Sequence, residues 1–295
     1  MKTKILKLLL PVLAMAAAAC GDSFEFGSPT HDLDEGIDLT AGTTQVLWKN
    51  KGAVYPTKRI HNFRIPGLVR TPHKLIAFCE AREETGSTNK DGGDIDLVYR
   101  VSTDDGQTWG PSQVLFDDED NTCGNACAVY TESGRLVILC CWQRTGTTEA
   151  KFKSNYFSFE ESQRYACHVV CFYSDDEGET WAGPFKWFTE NRNSDPGRYL
   201  WTSFFKTGPG HAIQLKTGQH KGRILVGCDH KYQIFDGVAV NANSEDENYY
   251  GSHVAYSDDN GETWHMLELD EELHYGNECV PVELSDGRIY LDMRG

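Results

Sequence analysis

The sequence is short of positive charge: 28 Lys and Arg stand against 44 Asp and Glu, a formal net charge of -16 over 295 residues. Such a chain repels phosphate backbones and anionic headgroups, so nucleic acid is not its partner. Proline is scarce at 10 residues, and the mean hydropathy of -0.50 excludes a polytopic membrane protein. No segment carries the periodic apolar spacing of an amphipathic helix. No H-E-x-x-H, G-x-S-x-G or G-x-x-x-x-G-K-[ST] occurs, which removes the main support for zinc-protease, serine-hydrolase and P-loop chemistry. What is abundant is glycine, at 28 residues, and aromatics, at 12%. Together they point to many tight turns between short strands.

The N-terminus is set apart from any fold. Lys2, Lys4 and Lys7 precede a twelve-residue apolar stretch, Leu8 to Ala19, that ends in Ala17-Ala18-Ala19. This is a signal peptide over residues 1–20, too short to span a bilayer stably. Cys20-Gly21 directly after the small residues reads as a lipoprotein-type signal with a lipid anchor on Cys20; an ordinary secretory signal is the alternative. Residues 21–42 are acidic, with Asp22, Glu25, Asp32, Asp34, Glu35 and Asp38 and no basic residue before Lys49, so they read as a solvated tether. Without the three signal lysines the charge becomes 25 - 44 = -19. Export to the periplasm, outer membrane or cell surface follows, with membrane contact only through Cys20.

Ten cysteines in an exported chain raise the prospect of disulfides. Yet Cys140, Cys141, Cys167, Cys171 and Cys228 lie in apolar strand-like runs, where a thiol packs as a small hydrophobe. Cys123 and Cys127 are spaced C-x3-C without a second pair to complete a zinc site, so neither metal nor cofactor is expected.

Internal repetition carries the architecture. One octapeptide, S-x-D-x-G-x-T-W, occurs at Ser102 to Trp109, Ser174 to Trp181 and Ser257 to Trp264. Its physics is that of a turn: the Asp carboxylate accepts backbone N–H groups, Gly supplies a positive φ, and Trp packs between sheets. A larger unit encloses it: two strands, a variable connection, a third strand, the octapeptide and room for a fourth. Unit starts near Arg64, Asn125, Gly208 and Asn277 give three full four-stranded antiparallel units and half of another, the pattern of propeller blades. A β-sandwich with repeated turns is the alternative. Thr43 to Asn50 could donate a strand for ring closure.

In sequence order, Phe63-Arg64-Ile65-Pro66, Glu80-Ala81-Arg82, the segment from Asp91, the three Asp-box turns and Asn277-Glu278-Cys279 leading to Met293-Arg294 resemble the bacterial exo-α-sialidase family. The resemblance runs from about residue 44 to the end. It implies an all-β fold, a six-bladed propeller of which residues 43–295 hold about three and a half blades. It also implies retaining release of terminal sialic acid from glycoproteins, gangliosides and oligosaccharides, or transfer to another sugar. By the same resemblance Arg64 and Arg294 grip the substrate carboxylate, a task suited to a planar, permanently charged fork, and Arg82 is a flanking contact, or an ion pair with Glu80 or Glu83. Asp91 takes the acid/base role, in preference to Asp94 and Asp96, and partial burial should raise its pKa. Glu278 activates a tyrosine nucleophile, which avoids the repulsion a carboxylate would meet at an anionic anomeric centre. The family's third arginine and its tyrosine have no matching place before Gly295, so a fragment, inactive or weakly stable, is the expectation. The alternative is a non-catalytic sialoglycan-binding surface lipoprotein.

Overall fold

The computed structural model describes residues 44–50, 54–55, 58–83, 91–147, 167–187, 199–234, 249–267 and 276–294. The expected signal over residues 1–20 and the acidic tether over residues 21–42 both lie outside them. Every regular element among the described residues is a strand. The first unit is β1 (Val54–Tyr55), β2 (Lys58–Arg70), β3 (Leu75–Glu83), β4 (Ile95–Ser102) and β5 (Gln113–Phe116), paired in that order and antiparallel throughout. The second is β6 (Thr122–Tyr130), β7 (Leu136–Gln143), β8 (His168–Ser174) and β9 (Ala182–Trp187).

In the third unit the first strand is composite. β10 (Tyr199–Thr207) and β12 (Ile213–Gln214) both pair with β13 (Ile224–Ile234), and between them β11 (Gly210–His211) leans onto β6. The unit therefore begins before Gly208, where the sequence pattern had opened it, and is completed by β14 (Tyr249–Ser257) and β15 (His265–Met266). A hairpin of β16 (Cys279–Glu283) and β17 (Ile289–Met293) starts the fourth. Among the described residues there are thus three units built on four antiparallel strand positions, the first with the two-residue β1 added at its edge, and half of another. Gln45 to Asn50 adds no strand. Trp48 instead stacks on Phe63 with ring centroids 5.9 Å apart, and the Asn50 carboxamide accepts the Phe63 N–H, so the segment lies along the first unit.

Middle strands are buried almost throughout: β7 (LVILCCWQ) faces a neighbouring unit on both sides, and β3 (LIAFCEARE) meets the second unit on one face while Ile60, Phe63 and Trp48 pack with Cys79 and Ala81 on the other, so both lack polar alternation. The core consists of layers between successive units. One layer joins Phe78, Leu97 and Tyr99 to Ile138, Val170 and Phe172; the next joins Val137 and Leu139 to Ile224, Val226 and Trp264. All nine described cysteines are buried free thiols, in keeping with their apolar runs. Cys123 and Cys127 belong to different layers.

The octapeptide turns join units. In the first, the Asp104 carboxylate accepts the Ser102 hydroxyl (2.8 Å), the Thr108 N–H (2.8 Å) and the Thr108 hydroxyl (2.6 Å), and Gly106 has φ of 83°. The other two repeat this geometry at Asp176 and Asp259. Each later turn also grips the unit before it. Trp181 packs edge-on against Phe78 and Tyr99, while Glu177 accepts from Thr71 and His73. Likewise Glu262 pairs with Arg135 at 2.5 Å.

These carboxylates set the acid response. Hydroxyl and N–H donors hold Asp104 and Asp176 at about 2, the Thr71 hydroxyl holds Glu177 at about 2, and burial pushes His253 down to about 3. The unfolded chain protonates each of these groups before the folded one does: His253 lowers stability between about pH 6 and 3, and Asp104, Asp176 and Glu177 lower it as pH falls from about 4 toward 2. Thermal melts of the protein between pH 4 and pH 2 should show a steep decline in Tm; a flat profile would contradict the clamp.

Candidate functional site

Burying a ladder break requires somewhere for its polar groups to go, and the first strands of the units break at equivalent places. β2 shifts register between Arg64 and Gly67, and β6 between Gly124 and Cys127. Ile65 and Asn125, just inside the breaks, have φ of 54° and 55°. A positive φ is costly for a β-branched residue; at Ile65 it turns the chain so that Arg64 faces the axis. Gly208 to Ala212 interrupts the third unit at the corresponding point, and Asn277-Glu278 precedes β16.

At these breaks each unit contributes one residue and its cross-strand partner to a single cleft: Arg64 opposite Glu80, Gly124 opposite Cys141, Lys206 opposite Asp229. In the fourth unit the Arg294 N–H donates to the Glu278 carbonyl at 2.9 Å, continuing the ladder. The cleft is open at its mouth and lined largely by charged and polar side chains, a lining suited to a small polar ligand. All five residues singled out in the sequence, Arg64, Arg82, Asp91, Glu278 and Arg294, line it.

Their pairing is uneven. Arg82 is buried, with its Nε and Nη2 donating to Glu80 at 2.9 and 2.6 Å and its Nη1 to Asp91 at 2.8 Å. The ion pair with Glu80 and the place in the cleft wall are therefore both real. Arg294 donates to Glu278 at 2.8 Å and to the Asn277 carboxamide at 3.1 Å. Arg64 is the least committed guanidinium of the three, with Asp91 3.8 Å away.

Asp91 is not buried as expected. Its side chain is 63% exposed, because the turn it starts is fixed from below: Gln143 donates to its carbonyl at 3.1 Å, and an added Cβ on Gly92 would sit 2.2 Å from the Thr147 carbonyl. Asp94 and Asp96 point elsewhere. Both are buried beside Lys58, at 3.2 and 3.3 Å, with Asp117 at 3.3 Å. Burial pushes Asp96 up to about 7, while the surrounding carboxylates overcome burial and keep Lys58 charged.

Sequence reading missed Lys206, Asp229, Asn125, Gln143 and the cleft-facing role of Glu80. Superposing the units would have found the first two, since Lys206 and Asp229 occupy in the third unit the register held by Arg64 and Glu80 in the first. Gln143 has no such signal.

The chain matches the BNR repeat-like domain over residues 73–295. It belongs to that family. Among curated proteins it is 30% identical over 269 residues to a sialidase of Paraclostridium sordellii, covering 89% of this chain and 57% of the relative. It is 28% identical to a sialidase of Micromonospora viridifaciens, covering 97% and 40%. The chain thus spans about half the length of the curated relatives it matches. Among solved structures, the Hadza microbial sialidase Hz136 aligns with a TM-score of 0.59 at 24% identity, over 79% of this chain and 42% of that one. Trypanosoma rangeli sialidase aligns at 0.61 and 20%, over 84% and 38%. The sialidase resemblance and the propeller fold inferred from the repeats are both borne out.

For this BNR-repeat chain the Lys58 cluster supplies a test of how the Asp91 turn is held. In Lys58→Met, Asp94 and Asp96 lose their cation, and stability at pH 8 should fall by about 3 kcal/mol, the scale for breaking a buried pair. Near pH 5 the loss should be smaller, because Asp96 is then protonated in the fold. Denaturant melts at the two pH values check this; equal losses would contradict it.

Proposed function

We propose that the cleft recognises the carboxylate of a terminal sialic acid and that the chain carries the binding and acid/base part of a retaining exo-α-sialidase site. The single observation that carries this reading is the convergence of Arg64, Arg82, Asp91, Glu278 and Arg294 on one cleft with Arg64 still open to a bidentate partner. An anionic ligand suits a chain of this negative charge only if local guanidinium pairing holds it, since long-range attraction is absent. Arg64 and Arg294 grip the carboxylate. Asp91, at the exposed rim, donates a proton to the departing glycosidic oxygen and later takes one from water. Its burial then comes from the bound glycan, not from the protein alone. Glu278 is the base for a phenolic nucleophile in the full mechanism.

Among the described residues no tyrosine lines the cleft, and Glu278 is held by Arg294. Those observations favour a second reading for this chain, sialoglycan binding without turnover. The readings share one test. A planar-ring sialic acid analogue should bind the protein, and Arg64→Ala should weaken it about 30-fold, on the order of 2 kcal/mol for one charge-assisted pair. Unchanged affinity would reject both readings. Turnover of a fluorogenic sialoside by the same preparation would reject the second alone.

The substrates in this proposal are sialylated glycoproteins, gangliosides or oligosaccharides outside the inner membrane, reached by a chain exported and anchored through Cys20. Metabolic labelling with palmitate in a bacterial host should mark the protein, and Cys20→Ala should abolish the label. Labelling that persists in the variant would contradict the anchor.

A further inference from the structure

Glu80 sits where three units meet. Its Oε2 takes the Nε and Nη2 of Arg82 at 2.9 and 2.6 Å, and its Oε1 accepts the Asn125 N–H of the second unit at 3.0 Å. From the third unit, the charges of Glu80 and Lys206 also interact. The carboxylate is 4% exposed, so its oxygens are satisfied by the Arg82 guanidinium and the Asn125 N–H instead of by water. Room for it is built into the neighbouring unit: a Cβ on Gly124 would lie 2.1 Å from Oε1. Any side chain at 124 would expel the carboxylate.

Arg82 has two ends. Glu80 occupies Nε and Nη2, which fixes the guanidinium plane and leaves Nη1 aimed at Asp91 Oδ1, 2.8 Å away. A guanidinium whose Nε–H and Nη2–H both end on one carboxylate oxygen cannot rotate without breaking two charge-assisted bonds. We propose that Glu80 is a positioning residue of the cleft: it locks Arg82 so that Arg82 holds Asp91 at the rim, leaving Arg64 to the ligand. The order of connection is Asn125 N–H to Glu80, Glu80 to Arg82, Arg82 to Asp91, so the placement of the acid/base candidate on the first unit depends on the backbone of the second. If Glu80 were lost, Arg82 would be a buried cation with Asp91 as its remaining carboxylate partner in this chain of bonds. It would draw Asp91 inward and away from the ligand. The role in ligand binding rests on the sialic acid reading above; the lock on Arg82 does not.

Two measurements on the full chain separate these. In the wild type, the Arg82 Nε–H should give an NMR resonance exchanging with water at least tenfold more slowly than that of half-exposed Arg70; equal exchange would overturn the lock without any variant. In Glu80→Gln, of the same shape but neutral, the Arg82 Nε–H protection should be lost, and affinity for the planar-ring sialic acid analogue should fall at least tenfold at a temperature where the variant remains folded. Glu80→Asp should restore part of both. Protection and affinity both unchanged in Glu80→Gln would overturn the proposal. If the wild type shows Arg82 protection but does not bind the analogue, the lock stands and the sialic acid reading falls.

Discussion

A hydrogen-bonded ladder that breaks at the same place in the first strand of each of the first three units is the constraint on which the structure depends. An unbroken inner strand would turn alternate side chains into the layers between units and present only backbone to the axis. The shift after Arg64, the shift after Gly124, the interruption at Gly208 and the entry at Asn277 each re-aim one residue and leave its cross-strand partner facing the same space. β-bulges are used for this purpose near functional sites in general. Here the device is repeated, so one cleft collects contributions from four separate units.

Charge pairing then decides what the collected residues do. The cleft holds Arg64, Arg82, Arg294 and Lys206 against Glu80, Asp91, Asp229 and Glu278, a balanced set that lets buried charges persist in a low-dielectric floor. The balance is not local. Arg82 takes two carboxylates and Arg294 takes one, which leaves Arg64 short of a close partner. The proposed anion recognition rests on that shortage, which arises from the geometry of Arg82 more than from Arg64 itself. The outer ends of the units meet a different need: the Asp-box turns, with Glu177 and Glu262 reaching back to the preceding unit, tie the layers together at the rim.

Much of this was legible in the sequence, for identifiable reasons. The Asp-box turns announced the units because a turn needing Asp, Gly and Thr at fixed offsets leaves little freedom in residue type. Arg64 and Arg82 stood out because Phe63-Arg64-Ile65-Pro66 and Glu80-Ala81-Arg82 match the family's motifs in order. The exposure of Asp91 was not legible, since it depends on Gly92 packing against Thr147 and on Gln143 reaching across from another unit. Lys206 was hidden by the composite first strand of the third unit, whose break at Gly208 obscured the register it shares with Arg64. The segment from Gln45 to Asn50 has strand-like residues, but Trp48 finds a better use for its ring against Phe63 than a ladder position would offer.

In the proposed site the open guanidinium of Arg64, not the locked one of Arg82, receives the ligand carboxylate. A crystal structure of the protein soaked with sialic acid tests it directly. The carboxylate should pair with Arg64 and lie within reach of Arg294, while the Glu80 to Arg82 to Asp91 bonds remain in place. A carboxylate bound to Arg82 with Glu80 displaced, or a ligand seated outside the cleft, would contradict it.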